Sequence, residues 1–486
     1  MSLRVAIIGG GLGGIATAVR LAAQGHQVTL CEASPTLGGK MNSWETHGFR
    51  FDTGPSLITM PHVFREAFEA AGERLEDHVD LQRLAPVAKY IWPDGTNLLH
   101  TTNLPAWLDT IREIEPRDVD GFMRFLQLGA RIFEVSDATF LRRPMSAPPD
   151  WRVFKSLRHF PFRHAWGNYA RMVNAHFKSP YLRQMFNRYP TYVGSSPYRS
   201  PATLAVIPYL EFAFGGWFVT GGLYRIVQSL ASIAQAKGAE LRVNAEVERI
   251  EHGSGRVKSV RLTDGSKLDA DVVVMNGDAG LLGQLIGDPA PRRVHEDERS
   301  MSGFVTLMGM REDMPGLDHH TVVFSADYRH EFDQLDAGDF PTDPTVYINA
   351  PSRSDRSLVP GRGEALFLMA NAPARMTPWD AGTTRAAFER VSARLVQSGF
   401  ADLREGNIVC DHWTPRRIGT TYHMPGGAIY GKNSHGWRNA FLRPANKQQL
   451  NGLYLVGGSS HPGGGTPTVL LSAKIATELI GKHERA

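Results

Sequence analysis

The chain opens on an unbroken apolar run, Val5-Ala6-Ile7-Ile8. A short run with no polar alternation predicts a strand covered on both faces, as in a parallel sheet. Five glycines follow at positions 9, 10, 11, 13 and 14, and Ile15 to Gln24 predicts an alanine-rich helix that stops at Gly25. His26 to Cys31 predicts a second strand, ending on Glu32. Farther along, Leu223 to Lys237 reads as a helix, Ala239 to Val243 as a strand, and Asp264-Gly265 as a hairpin turn. Two more buried strands are expected at Ala270–Met275 and Leu453–Val456, each soon followed by glycine. The order predicts an α/β fold with a Rossmann-like nucleotide domain that is discontinuous, drawn from residues 1–88, 215–300 and 440–486. A mixed α+β substrate domain is expected from 89–139 and 301–439, with strand-like runs at Thr321–Phe324 and Ala365–Met369. Residues 140–214 read as a mostly helical insert.

The first turn carries the chemistry. Gly9-x-Gly11-x-x-Gly14 lies between a predicted strand and a predicted helix, with Gly13 inside it. That context provides a tight turn, a close backbone approach to a pyrophosphate, and a helix N-terminus aimed at the phosphates. Glu32 stands 18 residues after Gly14, at the end of the second strand, where a carboxylate accepts ribose hydroxyls and repels a 2'-phosphate. Leu37-Gly38-Gly39-Lys40 and Phe51-Asp52-Thr53-Gly54-Pro55-Ser56 come next. A nicotinamide site has no evident need of these turns, whereas an extended FAD does: Gly39 lets the backbone pass close, Lys40 is placed to neutralise the pyrophosphate, and Gly54, Pro55 and Ser56 turn near the flavin. Near the C-terminus, Val456 to Pro467 is glycine-rich and leads into an apolar helix. Its N-terminus, pointed at the flavin pyrimidine, stabilises the charge that develops on reduction. Candidate FAD contacts thus also include Gly457, Gly458, Thr468 and Val469.

Composition narrows the class. The 486 residues are 42% hydrophobic and 21% charged, typical of soluble globular domains and unlike disordered chains. The net charge of +4 is too mild to argue for nucleic acid. Cys31 and Cys410 lie far apart with no metal-ligand spacing, so neither a disulfide framework nor a zinc site is expected, and a reducing cytoplasm is the default. The N-terminus lacks the pattern of an export signal. The best spanning candidate, Leu204–Val219, is broken by Pro208, Glu211, Gly215 and Gly216, so no transmembrane helix is expected.

Taken together, these motifs resemble the bacterial phytoene desaturase family of carotenoid desaturases, within the flavin amine-oxidase superfamily. The resemblance runs nearly end to end and also includes Leu317-Asp318-His319-His320, Pro351-Ser352 with Asp355, Phe441-x-Arg443-Pro444 and Gly457 to Gly465. It implies a two-electron FAD oxidoreductase that removes hydrogen from adjacent carbons of a phytoene-like isoprenoid chain, with Val247, Asn276 and Asp278 among its FAD contacts. Many members of the wider superfamily carry Asp where this chain has Gly458, which leaves a backbone N–H to make that contact. Allylic hydrogens of a hydrocarbon are too weakly acidic for a side-chain base to take first, so hydride transfer to flavin N5 leads and a delocalised cation then loses a proton. The catalytic residue is unassigned. His461, Glu211 and Arg199 are the candidates, the last two as a pair or as groups acting on the cation. His319 and His320 have no third ligand, and no metal is expected.

From Leu141 to Lys178 the insert holds eight basic residues, Arg142, Arg143, Arg152, Lys155, Arg158, Arg163, Arg171 and Lys178, against the single acid Asp150. Trp151, Phe154, Phe160, Phe162, Trp166, Tyr169 and Phe177 are interleaved. Basic residues mixed with aromatics suit a segment lying on an anionic lipid surface, which predicts a peripheral protein of the cytoplasmic membrane. The apolar residues of Leu204–Val219 are expected to line a long tunnel. Quinone and oxygen both stand as electron acceptors. Two other readings remain at this point: a related carotenoid oxidase, ketolase or isomerase acting on a C30 or later, end-modified carotenoid, and a flavin-carrying membrane scaffold without turnover.

Overall fold

The computed structural model describes residues 2–145, 151, 155, 158–165, 167–289, 294–376 and 379–484, with 163 and 164 described at backbone level. Its organising element is a five-stranded, wholly parallel sheet in the order Leu453–Leu455, Val272–Met275, Arg4–Ile8, Gln27–Cys31, Glu240–Arg242. Val5 pairs with Val272 on one side and Val28 on the other, so the first strand of the sequence lies at the centre. All four residues of Val272–Met275 are buried, which is why these strands read as continuous apolar runs.

Helix Leu12–Ala23 packs against helices Tyr224–Ala236 and Thr466–His483. Ala16, Ala18, Ala22, Ala473 and Ala476 are all buried, and their small side chains allow the close approach. The first helix begins at Leu12, three residues before the expected start, because Gly13 and Gly14 form its first turn. A three-stranded antiparallel sheet, Val247–Gly253, Arg256–Leu262 and Lys267–Asp269, flanks this layer and turns at Asp264-Gly265 as expected.

A second, seven-stranded sheet runs Asn407–Trp413, Ser302–Met310, Glu364–Ala372, Val346–Asn349, His320–Val323, Ala88–Ile91, Asn97–His100. It is antiparallel apart from the pair formed by Ala88–Ile91 and His320–Val323. Helices Leu104–Ile114, Asp118–Ser136, Tyr169–His176, Pro180–Asn187 and Val206–Phe214 cover its far end around an aromatic core. Phe177 and Phe186 stack there with centroids 4.5 Å apart, and Trp107 and Phe122 are fully buried. Each such side chain removes an area worth about 2–3 kcal/mol from water.

The insert corrects part of the sequence reading. Tyr169 and Phe177 are buried in this aromatic core and face no lipid, because their helix presents them to Phe125 and Phe186. Arg142 is held between Glu66, at 2.8 Å, and Asp137, at 2.9 Å, which leaves no free charge for a lipid headgroup. Trp151 and Phe162 are exposed. Arg152, Phe154, Trp166 and the side chain of Arg163 lie outside the described residues. Among the described residues, no helix is long and apolar enough to cross a membrane.

Candidate functional site

The glycine turn joins the central strand to the first helix. Gly9 donates its N–H to the carbonyl of Cys31 at 2.8 Å, and Gly38 donates to Gly10 at 2.8 Å, so the 37–40 loop folds over the fingerprint. Gly11 is the N-cap of the helix, which has no side-chain cap and no acid in its first turn. Its first N–H groups and the positive end of its dipole therefore address the mouth of the turn unopposed. A Cβ on Gly14 would lie 2.1 Å from the Gly9 carbonyl oxygen, so glycine is the residue that lets helix and strand meet. Glu32 accepts the Gly10 N–H at 2.6 Å through Oε2, and both the N–H and the hydroxyl of Ser34 through Oε1. These bonds fix the carboxylate beside the turn and leave Oε2 a further lone pair. Val247 starts the flanking sheet two residues after Ala245, whose N–H bonds the Glu32 carbonyl at 2.8 Å.

The later stretches converge on the same place. Asn276 donates to the Gly9 carbonyl at 3.1 Å, and a Cβ on Gly13 would meet Asn276 Oδ1, Val469 Cγ1 and the Gly457 nitrogen together. Gly457 and Gly458 follow the edge strand, and Thr468 and Val469 lie in the first turn of the C-terminal helix. Beside them is a small charged group. Asp278 Oδ1 accepts the Gly280 N–H at 2.8 Å, while Oδ2 is buried without a partner. Burial raises the Asp278 carboxyl, against the pull of Lys40 and Arg443. Burial lowers Lys40, whose ammonium donates to the Ile429 carbonyl at 2.5 Å, and pulls Arg443 down to about 10. Two buried cations around one carboxylate leave this corner suited to an anionic ligand. The Gly54-Pro55 turn abuts the Lys40 carbonyl, and Ser56 shares a 2.5 Å hydrogen bond with the Tyr347 hydroxyl.

Tyr347 leads to a second polar group, on the substrate side. Lys40, Tyr192, Tyr347 and Tyr430 are each partly buried here. The Arg188 guanidinium lies 5.3 Å from the ring centres of both Tyr192 and Tyr347. Arg188 Nη1 reaches the Tyr192 hydroxyl at 3.4 Å, and that hydroxyl donates to Glu211 Oε2 at 3.2 Å. Tyr189 donates to Glu211 Oε1 at 2.6 Å, and His100 Nδ1 stands 3.4 Å from the same oxygen. Burial raises the Glu211 carboxyl and lowers His100 to about 3, so His100 is neutral here. Of these residues only Lys40 and Glu211 were singled out in the sequence. The available signal was Arg188 set among Tyr181, Tyr189 and Tyr192 in a short, otherwise ordinary stretch.

Arg199 does not meet Glu211. It is exposed and pairs with Asp336 at 3.2 Å, because it lies beyond the Gly194 turn, on the outer side of the insert. His461 is 1% exposed and its Nε2 meets the Arg143 carbonyl at 2.7 Å, with its ring 4.7 Å from Phe140. It ties the glycine loop to residues 140–143. His319 and His320 are fixed by Ser354 and by the Val87 carbonyl, and no group of three potential metal ligands occurs among the described residues.

The uncapped helix terminus, the ribose-side carboxylate and the buried cationic corner gather at the C-terminal ends of the parallel strands, an arrangement that fits an extended dinucleotide. Comparison with known proteins agrees. The model of the flavin containing amine oxidoreductase family matches residues 12–480. The hydroxyneurosporene desaturase of Cereibacter sphaeroides is 36% identical, over 98% of this chain and 97% of that one. The 4,4'-diapolycopene oxygenase of a Methylomonas species is 32% identical, over 98% of each chain. In fold the chain is similar to an oxidoreductase from Methanosarcina mazei, with a TM-score of 0.67 at 15% identity, covering 98% of this chain and 100% of that one. The chain belongs to the carotenoid desaturase family of the flavin containing amine oxidoreductases, and its cofactor is FAD.

Proposed function

We propose that the enzyme removes hydrogen from adjacent carbons of a long, phytoene-like carotenoid precursor and so extends its conjugated polyene. The observation that carries this reading is the set of buried aromatic and aliphatic walls that meets the dinucleotide turns where Ser56 bonds Tyr347. FAD, when bound, accepts the hydride at its N5.

In this reading Gly9, Gly11, Gly13 and Gly14 hold the pyrophosphate and Glu32 the adenosine ribose, with Val247 beside it. Gly39, Lys40, Gly54, Pro55 and Ser56 line the flavin end. Asn276 and Asp278 shape the floor, and Gly457, Gly458, Thr468 and Val469 present backbone N–H groups to the pyrimidine. The walls exclude water, which keeps a developing polyene cation from being trapped before it loses its proton. His461 acts by fixing the glycine loop rather than by proton transfer, since Nε2 is engaged by a backbone carbonyl.

Such a substrate resides in lipid, and we infer a peripheral attachment to the cytoplasmic membrane. Phe140 meets Phe441 with centroids 5.5 Å apart, which joins the start of the insert to helix Gly436–Phe441. Around that junction Met145, Trp437 and Leu442 are exposed, with Arg438 over the Trp437 ring. Aromatic and aliphatic side chains beside arginine suit the headgroup boundary. Quinone or oxygen would serve as the final electron acceptor.

The test is anaerobic incubation of the FAD-loaded protein with liposomes carrying phytoene or its C30 analogue. A red-shifted product lighter by pairs of hydrogens, with bleaching of the flavin, supports the reading; an unchanged lipid and an oxidised flavin would refute it for both precursors. Likeness to an oxygenase favours one second reading, oxidation of a chain end, and a product heavier by oxygen under air would identify it.

A further inference from the structure

Arg443 carries a charge that no protein group matches. It is 6% exposed, and among the described residues neither it nor Lys40 has a carboxylate within ion-pair distance. Nη1 donates to the Tyr430 carbonyl at 3.1 Å and Nη2 to the Ser434 hydroxyl at 3.3 Å, which leaves the rest of the guanidinium N–H groups without an acceptor among the described residues. Lys40 donates to the neighbouring carbonyl, that of Ile429. Two cations thus hang on consecutive carbonyls, and the Asp278 carboxylate lies against the residue that follows, 3.2 Å from where a Cβ on Gly431 would stand. Burying unpaired cations side by side is costly unless a bound anion compensates.

Position along the glycine loop distinguishes which anion each cation meets. Gly457 abuts Gly13 of the fingerprint turn, and the loop then runs on to Gly463, where a Cβ would stand 3.9 Å from Arg443 Nε. Gly465, just beyond, is the N-cap of the 18-residue helix Thr466–His483, which has no side-chain cap and no acid in its first turn. The first helix and Lys40 serve the pyrophosphate end of FAD, while Arg443 and the last helix share the flavin end. The oxidised flavin ring is neutral. When a hydride reaches N5, the electron pair and proton of a substrate C–H bond pass to the ring together, the carbon is left cationic, and negative charge appears on the pyrimidine. A cation facing a charge that exists only after transfer favours the transfer itself and not merely the binding.

We propose that Arg443 raises the reduction potential of the bound flavin by stabilising the negative charge that hydride transfer places on its pyrimidine, so that a hydrocarbon C–H becomes a workable hydride donor. The proposal rests on the reading above for the place of the pyrimidine, at the last helix, and not for the identity of the substrate. It is therefore tested without any carotenoid, and its failure leaves the liposome assay to judge the desaturase reading separately.

The experiment is anaerobic reduction of the FAD-loaded enzyme at equilibrium with a reference dye. Arg443→Gln is expected to lower the equilibrium constant for two-electron reduction tenfold or more, a potential about 30 mV lower, while Arg443→Lys, which keeps a charge, stays within about threefold of wild type. A second measurement needs no variant to fold. In wild type, one proton is expected to enter with each electron pair between pH 5.5 and pH 6.5, because the cation keeps the reduced pyrimidine deprotonated, so the constant falls about tenfold per pH unit, or about 30 mV. A hundredfold fall per pH unit, which marks a second proton on the ring, overturns the proposal. An unchanged potential in Arg443→Gln overturns it too; if FAD affinity falls at that unchanged potential, the guanidinium serves the pyrophosphate instead.

Discussion

The side-chain amide of Asn276 donates to the carbonyl of Gly9 at 3.1 Å, linking residues 267 positions apart. The bond pins the second stretch of the nucleotide domain to the tip of the fingerprint turn. Asn276→Ala is expected to cost about 1 kcal/mol of stability and to weaken FAD binding by about fivefold. Thermal unfolding and flavin fluorescence on dilution check both.

Gly14 faces the same carbonyl with no room for a methyl group. Gly14→Ala must push the first helix off the strand, a close-packing error worth about 2–4 kcal/mol. The expected result is a protein that purifies without flavin and melts several degrees lower. Full cofactor occupancy in this variant would contradict the packing described.

Glu32 is held in place by Gly10 and Ser34, with a lone pair on Oε2 left for a ribose hydroxyl. Glu32→Ala is expected to lose about 2–3 kcal/mol of FAD binding, roughly 30- to 150-fold in Kd. Flavin retention through gel filtration gives the answer. Retention equal to wild type would place the adenosine end elsewhere.

Glu331 sets a pH dependence of stability. It is buried in helix Tyr328–Ala337, accepts Ser325 and Thr345 through Oε2, and burial raises its carboxyl to about 7. The folded state therefore holds this proton more tightly than the unfolded chain does. Its contribution is fully present below the ordinary carboxylate range and is lost as pH rises to about 7, by about 3 kcal/mol. Glu331→Gln should flatten the fall in urea midpoint between pH 5 and pH 8; an unchanged slope would assign the dependence to other groups.

Trp437 and Leu442 stand exposed beside Arg438, next to the start of the insert. Trp437→Ser with Leu442→Ser is expected to reduce cosedimentation with anionic liposomes about tenfold or more while leaving FAD content unchanged. Equal sedimentation would move the lipid contact to another face.

The dinucleotide track was legible because its parts are local. Gly9 to Gly14, Glu32 and Gly457 to Val469 each sit at a strand end, where spacing along the chain equals spacing in the fold. The buried polar group around Glu211 was not. His100, Arg188, Tyr192, Glu211 and Tyr347 come from separate elements with no shared period, and only the closure of the second sheet against the helices brings them together. Arg199 and Arg188 look alike in sequence, yet a turn at Gly194 separates an exposed ion pair from a buried cation. The aromatics of the insert posed the same problem: composition cannot tell Phe177, in the core, from Phe162, on the surface.

The parallel sheet is completed by Leu453–Leu455, yet its central strand is Arg4–Ile8. During synthesis the fingerprint is thus made long before the edge strand and the covering helix that complete its sheet. A chain that stalls before residue 453 carries a recognisable dinucleotide motif without the strand and helix that close over it.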